Sequence, residues 1–301
     1  MENLTNKIDF SVIVSVKNAN PNGDPLNGNR PRVNYDGYGE ISDVCIKRKI
    51  RNRLMEAGYS IFVQSDDNRV DEYKSLRERA EGDLKSIDMK DEKKYREAAC
   101  KKWIDVRAFG QVFAYKGKGG TKKKVAAVES GETKGDDKGI SIGIRGPVSI
   151  HPAFSVSPVS ISSIQITKSV SGEGDGTKKA SDTMGMKHRI DHGVYVFYGS
   201  MNPQLASKTG FSDEDAEAIK QALKKMFEND ASSARPEGSM EILKVYWWKH
   251  NCKIGQYPSA KVHRSLMIAL KAGVTEPKNI ADYDIELQAL SGLVPEIIDG
   301  L

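Results

Sequence analysis

The chain has 301 residues, 38% of them hydrophobic, enough to bury one elaborated core or two small ones. Lys and Arg total 46 against 41 Asp and Glu, and the resulting net charge of +5 is too small to identify an anionic partner without knowing how the charge is distributed. Three well-separated cysteines, Cys45, Cys100 and Cys252, form no CxxC pair, and no apolar stretch approaches the ~20 residues that cross a bilayer, so a disulfide framework, a zinc knuckle and a membrane partner are all disfavoured and a cytoplasmic protein is expected.

Phe10 to Val16 (FSVIVSV) reads as a buried strand, and it ends in a dense run of turn formers, Asn18, Ala19, Asn20, Pro21, Asn22, Gly23, Asp24 and Pro25. Ser42 and Asp43 then open a helix in which Ile46, Ile50, Leu54 and Ala57 recur at helical spacing until Gly58. A short strand is expected near Ser60 to Gln64. The charged stretch 66–102 has few apolar residues and reads as an inserted subregion with weakly specified helical turns. Trp103, Ile104, Val106, Phe109 and Val112 form an amphipathic segment, followed by a flexible basic loop, KGKGGTKKK, from Lys116 to Lys124.

Ile140 to Ile150 and Pro158 to Thr167 are rich in β-branched residues and read as strands separated by breaks at Pro152 and Pro158. A Gly-, Lys- and Ser-rich excursion, Ser169 to Asp191, lies between the second of these and the strand VYVFYGSM (Val194 to Met201), which suggests a projecting hairpin. Ser212 caps a helix with an acidic first turn and apolar positions Ile219, Leu223, Met226 and Phe227, and a strand follows from Glu241 to Lys249. A helix from Ser259 to Ala272 and a strand near Asp284 to Leu290 complete an accessory tail. The fold class this implies is α+β: strand, helix, strand, strand, helix, strand, a modified ferredoxin-like or RRM-like core with large insertions.

The sharpest local feature is the helix sequence DVCIKRKIRNR, in which Lys47, Arg48, Lys49, Arg51 and Arg53 crowd together with no local acid until Glu56. At 100° per residue Lys47, Arg48 and Arg51 fall in one sector beside the apolar stripe, a ridge suited to phosphates. The preceding loop offers amide side chains from Asn18, Asn20 and Asn22, backbone amides freed by glycines, and Arg30 and Arg32, so it suits a sugar-phosphate backbone. Arg107 sits on an apolar helix face, from which it reaches either nucleic acid or an acid such as Asp105 or Glu97. Tyr195, Phe197, Tyr246, Trp247 and Trp248 read as core or subunit-contact residues, so no aromatic base-stacking platform is expected.

NxNPNGDP, GxISDVCIKRKIRN, DVRAFGQVFA (Asp105 to Ala114) and IHPAFSVSPVSISSIQIT (Ile150 to Thr167) occur in this order, and together they make the chain resemble the guide-coating backbone subunit of the type I-C CRISPR Cascade complex, a member of the repeat-associated (RAMP) RNA-binding superfamily. The resemblance implies a right-hand arrangement of one RRM-like domain. It places a finger-like insertion at 66–135, a thumb hairpin at 169–191 and an accessory segment at 251–301. It also implies crRNA as ligand, contacted by the Asn18 to Asp24 loop and the Lys47 to Arg51 helix. Lys168 and Ser169 would lie at the base of the thumb, with Met184, Met186, Lys187, His188 and Arg189 in its returning arm. The partners implied are further copies of the chain in a helical filament, the repeat-processing, large and small Cascade subunits, and a target DNA strand held through guide pairing.

Methionines can wedge against bases without reading them while Lys and Arg meet phosphates, which suits a coat that must accept any guide. No cofactor, metal or catalytic group is expected. Asp24 and Asp43 lack a second carboxylate or His at ligand spacing, and His188, Asp191 and His192 lack further ligands. The rival readings are a metal-dependent ribonuclease subunit like those of type III complexes and a free-standing single-strand RNA-binding protein.

Overall fold

The computed structural model describes residues 2–115, 140–168 and 184–301; the expected basic loop from Lys116 and the hairpin tip that includes Ser169 lie outside them. Strand β1 (Ile8–Ala19) leads through the paired β2 (Gly23–Asp24) and β3 (Arg30–Pro31) to β4 (Tyr38–Ile41) and helix α1 (Asp43–Glu56). The inserted subregion carries α2 (Leu76–Asp83), α3 (Glu92–Lys102), α4 (Ile104–Phe109) and the hairpin β5 (Gly110–Tyr115) and β6 (Ile140–Arg145). Strands β7 (Val148–Ile150), β8 (Ala153–Pro158), β9 (Ile161–Thr167) and β10 (Met184–Met201) follow, then α5 (Pro203–Thr209), α6 (Asp213–Lys224) and β11 (Met240–Lys249). The chain closes with α7 (Ser259–Arg264), β12 (Leu266–Leu270), β13 (Tyr283–Leu287) and β14 (Glu296–Asp299).

The fold is a mixed α/β structure around one antiparallel sheet, ordered β14-β11-β1-β10-β8-β4, with β7 and β9 also paired to β10. β1 lies at its centre, with Val12 opposite Phe197 of β10 on one side and Val245 of β11 on the other. Phe10, Val12, Val14 and Val16 share a core with Ile46, Ile50 and Leu54 of α1 and Ile219 and Leu223 of α6. Ile13 points the other way and packs with Val194, Tyr246 and Trp248 against Val262, Leu266, Tyr283 and Leu293 of the C-terminal segment. Both faces of β1 are therefore buried, which explains why its sequence is a continuous apolar run rather than an alternating one. The inserted subregion has a core of its own, in which Phe62, Trp103 and Phe113 pack with Tyr95, Ala99 and Ile142.

The structure corrects several expectations. Ser60 to Gln64 is not a strand, because the backbone amides of Phe62 and Val63 donate to the Asp105 carboxylate rather than to a neighbouring strand. The helix expected from Ser259 to Ala272 ends at Arg264, and Leu266–Leu270 pairs with β13 instead. Val112 belongs to β5, while Met226 and Phe227 lie beyond the end of α6. Between Pro152 and Pro158, read as breaks, the chain forms β8, with proline tolerated at the strand's margins. The C-terminal segment supplies the cover of the second sheet face.

At the start of β1 a buried polar node ties this cover to the sheet. His250 Nδ1 accepts the Gln256 amide (2.9 Å), which leaves Nε2 to donate to Asp9 (2.8 Å), and Lys7 lies 3.1 Å from the same carboxylate. Burial alone would raise the Asp9 carboxyl, but the bonds from His250, Ser259 and Lys7 hold it below its ordinary value. Burial lowers His263, with Asp9 opposing it. Both groups therefore bind protons more readily in the unfolded chain than in the folded one, and both make the protein less stable as pH falls. Thermal melts should show a loss beginning below about pH 6.5 from His263 and from His192, which burial also lowers, and steepening below about pH 4 from Asp9. Replacing His263 with Gln should reduce the first phase, leaving the share of His192, and keep the second; a melting profile unchanged by this substitution would show that His263 does not contribute.

Candidate nucleic-acid interface

The Asn-rich loop, the N-terminal half of α1 and the 229–235 connection meet at the end of β1 distal to Ile8. Asn22 Oδ1 accepts from both the amide and the hydroxyl of Ser42 (2.9 and 2.8 Å), and Ser42 in turn caps α1 by accepting from the Cys45 amide. The loop is thereby fixed to the helix start, where amides point outward. Asn20 is buried and donates to the Asn29 carbonyl (2.7 Å), and its backbone amide bonds Ala234, tying in the third segment. Asn18 is exposed at φ 55°, a left-handed conformation that asparagine tolerates, and it marks the irregularity where β1 ends.

These segments enclose a polar groove of about 300 Å³ whose walls include Asn22, Arg48, Lys49, Asn52, Asp67, Asn68, Asp230 and Arg235. Of these, Asn22, Arg48 and Lys49 are among the residues expected from the sequence, and the others are not. Asn52 follows Arg48 by one helical turn, a spacing that carried the signal, whereas Asn68, Asp230 and Arg235 come from distant connections with no local mark. Arg30 is exposed on β3, and Arg32 lies beside it, 3.5 Å from Asp24. Tyr35 and Leu26, on the turns flanking β3, are fully exposed.

The basic ridge of α1 is not an unopposed row of cations. Lys47 pairs with Asp43 one turn earlier (2.9 Å), and Arg48 faces Asp67 (3.3 and 3.4 Å). Lys49 is 5% exposed and bonded to Asp230, with its ammonium 5.4 Å from the Phe227 ring centroid. Arg51, 13% exposed, bonds Asp105 (2.9 Å) and stacks over Phe109, and Arg53 is bonded to Glu56. Burial lowers Lys49 and Asp230 opposes that shift. Three of these five cations, Lys49, Arg51 and Arg53, are paired and largely shielded, so of the ridge only Lys47 and Arg48 are placed to meet a ligand at the surface.

Arg107 pairs with neither Asp105 nor Glu97. It makes a two-pronged bond to Asp215 at the start of α6 (2.8 and 2.7 Å) and a third to the Cys100 carbonyl. The geometry is that of a tertiary tie between the insertion and the sheet layer.

In the projecting hairpin β9 and β10 pair from Ile161 and Ile190 to Thr167 and Met184. Met184 and Met186 are exposed on the same face as Thr167 and Gln165, and Lys187 shares the opposite face with Ile164. His188 is buried and bonded to Ser163 (2.8 Å), so its ring is turned toward β9 of the hairpin. Arg189 lies 3.8 Å from Asp191, and Lys168 closes the exposed end of β9. His188 and His192 sit four residues apart on one strand, about 13 Å at strand spacing, too far to share a metal ion. No group of three potential metal ligands occurs among the described residues.

The family model described as "CRISPR-associated protein Cas7" matches residues 6–288. The chain belongs to the Cas7 family. A "CRISPR-associated protein Cas7" of Haloferax volcanii is 26% identical over 245 residues, covering 80% of this chain and 69% of its own. Among solved structures, a chain of a "CRISPR RNA-guided surveillance complex, pre-nicking" is 13% identical with a TM-score of 0.48, over 90% of this chain and 84% of that one. A chain of a "CRISPR RNA-guided surveillance complex" is 15% identical with a TM-score of 0.40, over 80% and 68%.

Within this Cas7 chain the two kinds of cation separate experimentally. Arg51→Ala leaves the Asp105 carboxylate buried without its charged partner and should destabilise the fold by about 3 kcal/mol. Arg48→Ala removes an exposed pair and should leave the melting temperature within a degree or two. Denaturant titration of the two variants checks this; equal stabilities would show that Arg51 is not structural.

Proposed function

We propose that this chain is a non-catalytic crRNA-binding backbone subunit of a type I-C Cascade surveillance complex, with successive copies assembled as a helical filament along one guide. The observation that carries the reading is the Cas7 family match across nearly the whole chain. The core is read as ferredoxin-like or RRM-like. In support, the central strand order β11-β1-β10-β8 is antiparallel throughout, and α1 and α6 pack on one face. The second face, where an RRM would stack bases, carries the C-terminal cover, so the guide is assigned instead to the groove at the end of β1 and to the hairpin.

Arg30, Arg32, Lys47 and Arg48 are assigned to the guide's phosphates, with Asn18 and Asn22 beside them. Met184, Met186 and Lys187 are assigned to the guide segment held by a neighbouring copy. Lys49, Arg51, Arg107, Asn20 and His188 act by holding these surfaces in place. The repeat-processing, large and small subunits complete the assembly, and target DNA is met through guide pairing. Phosphate contacts give affinity without sequence preference, which a coat for variable guides requires.

Co-expression with a repeat-derived RNA should yield long particles rich in nucleic acid. Alanine at Lys47 and Arg48 together should weaken binding to all sequences alike. The slope of log affinity against log salt should become shallower by about 0.7 for each phosphate that the variant no longer neutralises. Purified protein that carries no RNA, or that cleaves labelled RNA in Mg²⁺, would refute the reading.

Replacing residues 162–189 with a short Gly-Ser turn, which joins the paired Ile161 and Ile190 at the base of the hairpin and spares the core, should preserve binding to short RNA. It should abolish cooperative assembly and any regular pattern of base exposure on a long guide. Regular assembly by this deletion variant would transfer the role to the inserted subregion.

A further inference from the structure

The ion pairs of α1 differ in how firmly the acid is held. Asp230, opposite Lys49, is itself bonded by Arg235 (3.2 Å), and both side chains of the Lys49 pair are shielded. Asp105, opposite Arg51, is 1% exposed and also accepts two backbone amides. The partner of Arg48 has neither a second cation nor burial to hold it. Asp67 stands on a short 3-10 turn, Asp66–Asn68, at the root of the inserted subregion. Its side chain is 68% exposed and that of Arg48 57%.

Asp67 presents both carboxylate oxygens to one guanidinium nitrogen, at 3.3 and 3.4 Å, inside the groove assigned above to the guide. Two oxygens carrying one negative charge are also what a phosphodiester offers to an arginine. The neighbouring Ser65 hydroxyl, with Arg48, keeps the Asp67 carboxyl below its ordinary value, so it is anionic at neutral pH. An exposed pair of this kind is weak and readily exchanged. After exchange, the displaced carboxylate would lie beside a phosphate of like charge.

We propose that Asp67 is a built-in competitor for the guide backbone: it occupies Arg48 in the free chain, must release it when a phosphate enters, and so sets the affinity of the groove. The inference rests on the reading of the groove as the guide's site. It makes a gain, not a loss, the expected result of removing a side chain, and damage to the fold does not produce a gain.

The test is binding of an RNA oligonucleotide too short to bridge two copies, by wild-type protein and by Asp67→Asn, Asp67→Glu, Asp66→Asn and Arg48→Ala. Asp66→Asn removes the same charge one residue away and measures the general electrostatic effect. Asp67→Asn should bind about two- to five-fold more tightly than Asp66→Asn, the range an exposed ion pair supports. Asp67→Glu should resemble wild type. The gain should vanish when Arg48→Ala is combined with Asp67→Asn. Affinity of Asp67→Asn no higher than that of Asp66→Asn, or a gain that persists without Arg48, would overturn the proposal while leaving the groove's role standing. Absence of RNA binding by the wild type would overturn both.

Discussion

The carboxylate of Asp105 joins the two halves of this molecule. It is almost completely buried and accepts from Arg51 of α1 and from the amides of Phe62 and Val63, so one side chain links the helix on the sheet, the segment leaving that helix, and α4 of the insertion. A buried charge is tolerated only when it is paired and hydrogen-bonded, and here the partners come from separate stretches of chain. Arg107 and Asp215 form the second tie, from α4 to the start of α6. The subregion between residues 66 and 145 has its own hydrophobic core, yet two charged clamps hold it at a defined position on the sheet layer. The groove wall contributed by Asp67 and Asn68 depends on that position.

Closing the sheet on both sides leaves a limited choice of binding surface. Helices α1 and α6 occupy one face and the C-terminal segment the other, so neither flat face is available for stacked bases. What remains are the sheet ends, the loops that leave them, and the hairpin that extends beyond the core. The Asp9 node secures the closure on the second side: His250 is bonded at both ring nitrogens, and His263 reaches the Gly199 carbonyl. Strand β1 is thus the axis of the fold and also the element whose far end delivers the Asn-rich loop.

The parts of this arrangement that were legible in the sequence are those with local signals. The Ser42 cap and the Ile46, Ile50, Leu54 stripe identified α1, and the apolar run of β1 and the acidic first turn of α6 were equally clear. The acids that neutralise α1 were not legible, because Asp67, Asp105 and Asp230 lie 19, 54 and 181 residues from their partners. A row of cations in sequence therefore read as a free ridge when most of it is internal wiring. The run LMIAL at 266–270 was read at helical period after a true helix, and only its pairing with Tyr283–Leu287 decides otherwise. For the segment 60–64, a side chain took the role that a neighbouring strand would have played.

The β9–β10 hairpin has one further consequence. Its two faces differ in kind: Met184 and Met186 lie with Thr167 and Gln165, whereas Lys187 lies with Ile164 and Gly185 with Ile166. β10 runs unbroken from this exposed arm into the core, where Tyr195 and Phe197 are locked. Because side chains alternate strictly along a strand, the core determines which face the methionines occupy many residues away. Adding or removing one residue in the intervening stretch would exchange the sulfur-bearing face for the cationic one without touching either set of residues. Length changes in this arm should therefore be tolerated in pairs, and a lineage drifting in hairpin length would be constrained by parity before it was constrained by composition.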